Sequence, residues 1–319
     1  MNGLLDRFLD GDRQALARLL SHVENETTLA DEAMQALADR TGSAHVIGLT
    51  GPPGAGKSTL ANEFVRQTRN SGKTIAVLAI DPTSPISGGA TLGDRIRMLD
   101  MQDDDGVFLR SMASREQTGG LSLAAFGATM ILDAFGFDIV LIETVGAGQD
   151  EVDIARLADT VMLVQTPGMG DSIQAVKAGI LEIADVLVVN KADQPGADET
   201  VRTLREHVRQ STTSGWRVPV LAVISSTGQG IAELISTLEQ HQRMTSQQVA
   251  FEETRRRQRL HYHARMLAIR ELARHIERNQ AGNPGWSDPH QLAEDMLNAF
   301  VQDRTGNKPT SSAKDHRAD

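Results

Sequence analysis

The chain has 319 residues, of which 40% are apolar and only 3% aromatic, with a formal charge of −10. That length allows one large domain with appendages, or two domains, built on a mostly aliphatic core. The acidity removes any global attraction for nucleic acid or anionic membrane, and the absence of cysteine excludes disulfides, cysteine-held zinc and iron–sulfur clusters.

The N-terminal MNGLLDRFLDGDRQALARLL carries charges every few residues and has no apolar centre. It reads neither as a signal peptide nor as an acid-poor transit peptide. No run of about 18 apolar residues is present to span a membrane. The expectation is a cytoplasmic protein with no membrane or nucleic-acid partner. Residues 1–43 read as a helical extension, because Leu4, Leu5, Phe8 and Leu9, then Leu16, Leu19 and Leu20, recur at helical spacing.

From Ala44 the pattern changes to short apolar runs. HVIGL (45–49), TIAVLAI (74–80), DIVLIE (138–143), TVMLVQ (160–165), DVLVVN (185–190) and VPVLAVI (218–224) read as buried parallel strands. Helical patterns at 57–70, 121–135, 171–183, 197–211 and 230–241 separate most of them. The alternation predicts an α/β domain over 44–242, with helices on both faces of a mostly parallel sheet. Ligands of such sheets bind beyond the carboxyl ends of the strands. After about Gln242 the strands stop. Residues 246–279 read as a long Arg-rich helix, AGNPG (281–285) as a break and 288–302 as a last helix, so 243–302 forms a helical arm. The polar stretch 303–319 reads as a disordered tail.

The loops after the strands carry the chemistry. Gly51-Pro52-Pro53-Gly54-Ala55-Gly56-Lys57-Ser58-Thr59 fits the phosphate-loop pattern G-x-x-x-x-G-K-[ST], between a strand and a helix. Its glycines let backbone N–H groups face phosphate oxygens, and the following helix adds its positive end. Lys57 is expected to bridge the β- and γ-phosphates and Ser58 to hold Mg²⁺. Asn190-Lys191-Ala192-Asp193 follows a later strand and is the N-K-x-D signature of guanine binding. Asp193 can accept from guanine N1–H and from the exocyclic amine, and adenine offers neither donor there. Asn190 is expected to brace the loop and Lys191 to lay its stem over the base. Ile224, Ser225 and Ser226 are placed for a second base loop, with backbone contacts from the two serines. Asp81, Asp94 and Glu143 lie where carboxylates meet a nucleotide-bound Mg²⁺, directly or through water. In LIETVGAGQDEVD (141–153) the acid is Glu143 where Asp is usual, and Gln149 lies three residues past Gly146.

Taken together, GPPGAGKSTL, AIDPTSPISGGATLGDRIRM, IETVGAGQDEVDIARLADT, TPGMGDSIQAVKAGILEIAD and NKAD resemble the methylmalonyl-CoA mutase-associated GTPases, the ArgK/MeaB-type proteins and their mitochondrial counterpart. The likeness runs from about Gly11 to Gln302. It implies a P-loop GTPase of the signal-recognition/MinD-like (SIMIBI) class that binds GTP and GDP and forms a homodimer through its C-terminal helices. It implies a chaperone for an adenosylcobalamin-dependent acyl-CoA mutase, gating cofactor loading and protecting or reactivating that enzyme. It assigns Asp81, Asp94 and Glu143 to Mg²⁺ and marks mobile regions near 81–97, 143–155 and 166–177, with Lys177 as a candidate phosphate-side or relay cation. Within the arm, Leu260, His263, Met266, Leu267, Ile269 and Leu272 offer a packing stripe. Three alternatives stay open: a metal-insertion GTPase, a kinase of amino-acid transport components, and a nucleotide-binding scaffold that does not hydrolyse. No glutamine directly follows Gly146 to orient an attacking water, so slow turnover by the isolated protein is expected, with Gln149, Asp150 or Glu151 as candidates for that task.

Overall fold

The aliphatic runs form strands, and every strand pair is parallel. A computed structural model describes residues 2–82, 103–114, 123–144, 150–168, 178–208, 215–247, 249–279 and 289–305. Its strands are β1 (His45–Thr50), β2 (Ile75–Pro82), β3 (Val107–Ser114), β4 (Ile139–Thr144), β5 (Thr160–Gln165), β6 (Val186–Val189) and β7 (Val220–Ala222). They make one sheet in the order β3-β2-β4-β1-β5-β6-β7. The helices are α1 (Asn2–Leu9), α2 (Arg13–Glu24), α3 (Thr28–Leu37), α4 (Lys57–Arg69), α5 (Leu123–Phe135), α6 (Asp150–Leu157), α7 (Ala178–Ile183), α8 (Ala197–Val208), α9 (Ile231–Gln247), α10 (Val249–Asn279) and α11 (Pro289–Thr305).

Both faces of the sheet are covered, which is why its strands read as continuous apolar runs. On one face Leu60 and Phe64 of α4, with Leu234 and Leu238 of α9, pack on Ile47, Leu49, Leu141, Met162 and Val164. Alternation sends Leu163 to the other face, where it joins Leu187 and Val189 beneath Val201 and Leu204 of α8. The central strand β1 pairs with β4 on one side and β5 on the other. The loop after β1 therefore emerges between the loops after β4 and β5, at the sheet's carboxyl edge.

Two elements are additional to the sequence expectation. β3 is an edge strand whose middle, Phe108 to Ser111, is only half-buried, so it presents no unbroken apolar run. The short helix α6 follows immediately after the glycine-rich stretch 145–149. The run 218–224 contributes only Val220–Ala222 as strand. Of the helix expected at 171–183, Ala178–Ile183 lies within the described residues.

The N-terminal helices cover the β3 side of the sheet. Phe8 meets Phe135 of α5 edge-on at 5.1 Å. Arg110 on β3 bonds Glu24 at 2.6 Å and Ser21 Oγ at 3.2 Å. Arg13 donates to the carbonyl of Val107, which satisfies an acceptor on an edge strand.

At the amino edge of the sheet a buried polar chain joins β1, β5 and the residue before β6 to α9. His45 Nε2 and His241 Nδ1 each lie 2.8 Å from Thr160 Oγ1. His241 Nε2 lies 3.4 Å from Asp185 Oδ1. The Trp216 indole N–H donates to the Asp185 carbonyl at 2.8 Å and its ring abuts His241 edge-on. Burial pushes the His45 imidazole down to about 4, opposed in part by the Asp159 carboxylate.

The chain divides into two units, Met1–Arg259 and Leu260–Asp319. In the second, His275 stands edge-on to Phe300 at 5.3 Å. Leu260, Ile269, Leu297 and Val301 are exposed. Among the described residues, no helix is long and apolar enough to cross a membrane. The described part of α11 ends at Thr305, and 306–319 lie outside the described residues.

Candidate nucleotide site

The loop Gly51–Gly56 leaves β1 and turns directly into α4. Gly56 is the helix N-cap residue and adopts φ +83°. A Cβ there would sit 2.5 Å from Asn190 Nδ2, so glycine serves both the left-handed turn and the close approach of Asn190. A Cβ on Gly51 would lie 2.3 Å from the Val164 carbonyl of β5, which holds the loop against its neighbouring strand. Pro52, Pro53, Gly54 and Ala55 complete the curl, with the Ala55 amide donating to the Pro52 carbonyl at 3.2 Å. Lys57 opens α4, is buried, and donates through Nζ to the carbonyls of Gly51 (2.8 Å) and Pro52 (3.1 Å). The first-turn amides of α4, from Lys57 through Thr59, lack helical acceptors, and together with the helix dipole they favour an anion.

Glu143 is held in strand register between Leu49 of β1 and Ala79 of β2. It is buried, and its Oε1 accepts from Ser58 Oγ at 2.7 Å. A hydroxyl and a carboxylate are thus brought together beside the helix N-terminus, across 85 residues of sequence. This is a hard-oxygen pair of the kind Mg²⁺ selects when it is bound through few carboxylates, phosphate and water. The donor set fits that ion. Asp81 lies on β2, in register with Ala113 of β3 and two residues beyond the partner of Glu143, at the same carboxyl edge. Asp94, Gly146, Gln149 and Lys177 lie outside the described residues.

The two base loops are tied to the phosphate loop by one side chain. Asn190 is 2% exposed. Its Nδ2 donates to the Ala55 carbonyl at 2.8 Å. Its Oδ1 accepts from the Lys191 amide (2.8 Å), the Ser225 amide (3.2 Å) and Ser225 Oγ (2.7 Å). Lys191 adopts φ +56° and sends Nζ to the Gly54 carbonyl at 2.9 Å, so its stem runs over the phosphate loop. Asp193 and Ser226 are exposed, and Ile224 is half-buried. Ser225 departs from the sequence expectation of a base contact: its amide and hydroxyl both turn inward to Asn190. The sequence points to Asn190 as a brace but not to the part Ser225 takes in it, because a serine beside a strand end carries no signature. The spacing of the N-K-x-D loop from the last strand was the only pointer to it.

A parallel sheet, a phosphate loop at its central strand and an N-K-x-D loop bolted to it define a P-loop GTPase fold. Comparison with known proteins agrees. The family model described as methylmalonyl Co-A mutase-associated GTPase MeaB matches residues 16–281. A relative in Pyrococcus horikoshii is 46% identical over 79% of this chain and 81% of its own length. The GTPase ArgK of Escherichia coli is 34% identical over 72% of each chain. The mouse mitochondrial methylmalonic aciduria type A homolog is 33% identical over 76% of this chain and 64% of its own. The crystal structure of a LAO/AO transport system kinase superposes with a TM-score of 0.70 over 95% of this chain and 97% of that one, at 22% identity, a likeness of fold. The chain belongs to the methylmalonyl-CoA mutase-associated GTPase family.

Proposed function

We propose that this protein binds and hydrolyses GTP and uses the cycle to serve an adenosylcobalamin-dependent acyl-CoA mutase, by default methylmalonyl-CoA mutase. The observation that carries the nucleotide half is the Asn190 bolt, which fixes the phosphate loop and both base loops in one arrangement. Family membership and the name of the mouse relative support the mutase half. In this reading Asp193 accepts from guanine N1–H and its amine, and Ser226 supplies a backbone N–H to the base. Rejection of adenine is strong because a base that covers the Asp193 carboxylate without offering it a donor strips water from an acceptor and leaves it unpaired.

The residues act as follows. Lys57 exchanges its bonds to the Gly51 and Pro52 carbonyls for β- and γ-phosphate oxygens. The loop amides from Gly54 to Thr59 hold the phosphates. Ser58 and Glu143, with Asp81 and Asp94, would hold Mg²⁺, which would supply electrostatic stabilisation for phosphoryl transfer. Gly146 donates its amide to the γ-phosphate. Gln149, Asp150 or Glu151 orients the attacking water, and Lys177 is a further cation for the phosphate side. With no glutamine directly after Gly146, turnover by the isolated protein is slow, and the mutase completes the arrangement. Hydrolysis removes the γ-phosphate contacts and the partner reads the difference; linkage then requires that mutase binding change nucleotide affinity in return. The C-terminal helices are assigned to homodimerisation and the protein to the cytoplasm.

The test uses the purified full chain with GTP, and ATP as control, alone and with the organism's cobalamin mutase. Slow GTP turnover that changes on adding mutase, with co-purification of the two, is the expected result. Preferential ATP use overturns the guanine assignment. GTP turnover with no association overturns the mutase assignment and leaves the GTPase.

A further inference from the structure

The loop Ile224–Gly228 is fastened at two points. One is Ser225, bound to Asn190. The other is Gly228, whose carbonyl accepts from Gln67 Nε2 at 3.1 Å, a contact from the third turn of α4. Gln67 is itself held by Glu63, whose Oε1 accepts from Gln67 Nε2 at 2.6 Å. The Arg66 guanidinium bonds both oxygens of Glu63, at 2.5 and 2.8 Å, and holds its carboxyl below the ordinary range. Gly228 takes φ +79°, and a Cβ there would lie 2.4 Å from Glu63 Oε1. The turn leans directly on α4. Within it the amides of Thr227 and Gly228 both donate to the Ile224 carbonyl.

The same helix therefore bears on both ends of the nucleotide. Its first turn carries Lys57 and Ser58 for the phosphates. Ten residues on, about 15 Å along the axis, it grips the loop on the base side. We propose that Gln67 is a positioning residue that sets the lifetime of bound guanine nucleotide, by holding Gly228 and so keeping the base loop closed. This rests on the guanine reading above. Nothing in the bond touches phosphate, metal or attacking water, so it acts on release and leaves the hydrolytic step alone. One hydrogen bond of ordinary worth corresponds to about a threefold to tenfold change in rate.

The experiment measures release of fluorescent GDP and of a fluorescent non-hydrolysable GTP analogue from the full chain, beside single-turnover cleavage of GTP. Gln67→Ala is expected to speed release of both nucleotides by about threefold to tenfold, with cleavage changed less than twofold. Gln67→Glu, which sets a carboxylate against Glu63 and the Gly228 carbonyl, is expected to release faster still. Gln67→Lys, which keeps a donor, is expected to restore slow release. GTP and ITP affinities should fall in the same ratio, because the amine that distinguishes them faces Asp193. Wild-type release by both Gln67→Ala and Gln67→Glu overturns the proposal. So does faster release that comes with an equal loss of cleavage and is not rescued by lysine, since that marks a general loss of structure. A wild-type protein that binds no guanine nucleotide sinks the parent reading, and it shows before any variant is compared.

Discussion

Asn190→Ala removes a side chain that joins three loops. Its Nδ2 bond to the Ala55 carbonyl goes, as do the bonds of Oδ1 with the Lys191 amide and with Ser225. The Lys191 amide can turn to water, since that residue is only half-buried. The Ala55 carbonyl and the Ser225 amide and hydroxyl cannot do so easily, because those residues are 0% and 6% exposed. Leaving a buried polar group unsatisfied costs about 1–3 kcal/mol, so the two sites together cost about 2–6 kcal/mol. In a domain of this size each kcal/mol lowers the melting temperature by about 2–4 °C, which gives a fall of roughly 4–24 °C without nucleotide. The loops also lose their binding arrangement, and each 1.4 kcal/mol of that is about tenfold in affinity. GDP and GTP should weaken together, by at least about tenfold, because the loss lies away from the γ-phosphate. Thermal unfolding and a fluorescent-GDP titration on the same preparation read both effects. An Asn190→Ala protein that melts within about a degree or two of wild type and binds GDP within about twofold would show that Asn190 does not hold these loops.

Asp193→Asn exchanges an acceptor for a donor at the base edge. Affinity should shift from guanine toward xanthine nucleotides, and competition between GTP and XTP measures it. Glu143→Ala should weaken Mg²⁺-dependent hydrolysis by about 100-fold, the upper end for losing a group of the metal site or its support. A magnesium titration of the GTPase rate checks this, and unchanged Mg²⁺ dependence would remove Glu143 from the site. His45 contributes a pH dependence with a definite sign. Its folded value, about 4, lies below the unfolded 6.5, so the unfolded chain takes up the proton first. Its contribution is fully present above pH 6.5 and is lost progressively as pH falls toward 4, by about 3 kcal/mol in all. Urea unfolding at pH 7.5, 5.5 and 4.5 should show this slope in wild type and a shallower one in His45→Asn.

The phosphate loop and N-K-A-D were legible because each depends on few residues at fixed spacing beside a strand. Glu143 was legible for the same reason, at the end of an apolar run. β3 was not, because an edge strand with half-buried Arg110 and Ser111 gives neither a solid run nor clean alternation. The inward turn of Ser225 and the grip of Gln67 on Gly228 were not legible either. Both are contacts over long sequence separation, 35 and 161 residues, made by residue types that are ordinary on any surface. Parallel topology creates such contacts, since every connection crosses the sheet before the chain returns to the same edge.

The chain of His45, Thr160 and His241 at the far edge of the sheet has a direction. A hydroxyl has one proton and two lone pairs, so Thr160 can donate to only one of the two imidazoles. If His241 carries its proton on Nε2 toward Asp185, its Nδ1 is bare and accepts from Thr160. Thr160 then accepts from His45, whose proton sits on Nε2. Moving the His241 proton to Nδ1 removes its bond to the Asp185 carboxylate, which cannot donate, and makes Thr160 an acceptor from His241, so that Thr160 can donate to His45 only if that ring carries its proton on the opposite nitrogen. The proton positions of the two rings are therefore coupled through one hydroxyl, which links β1, β5 and α9. Replacing Thr160 by valine, nearly the same in shape, would leave two imidazoles with no common memory of where the proton lies.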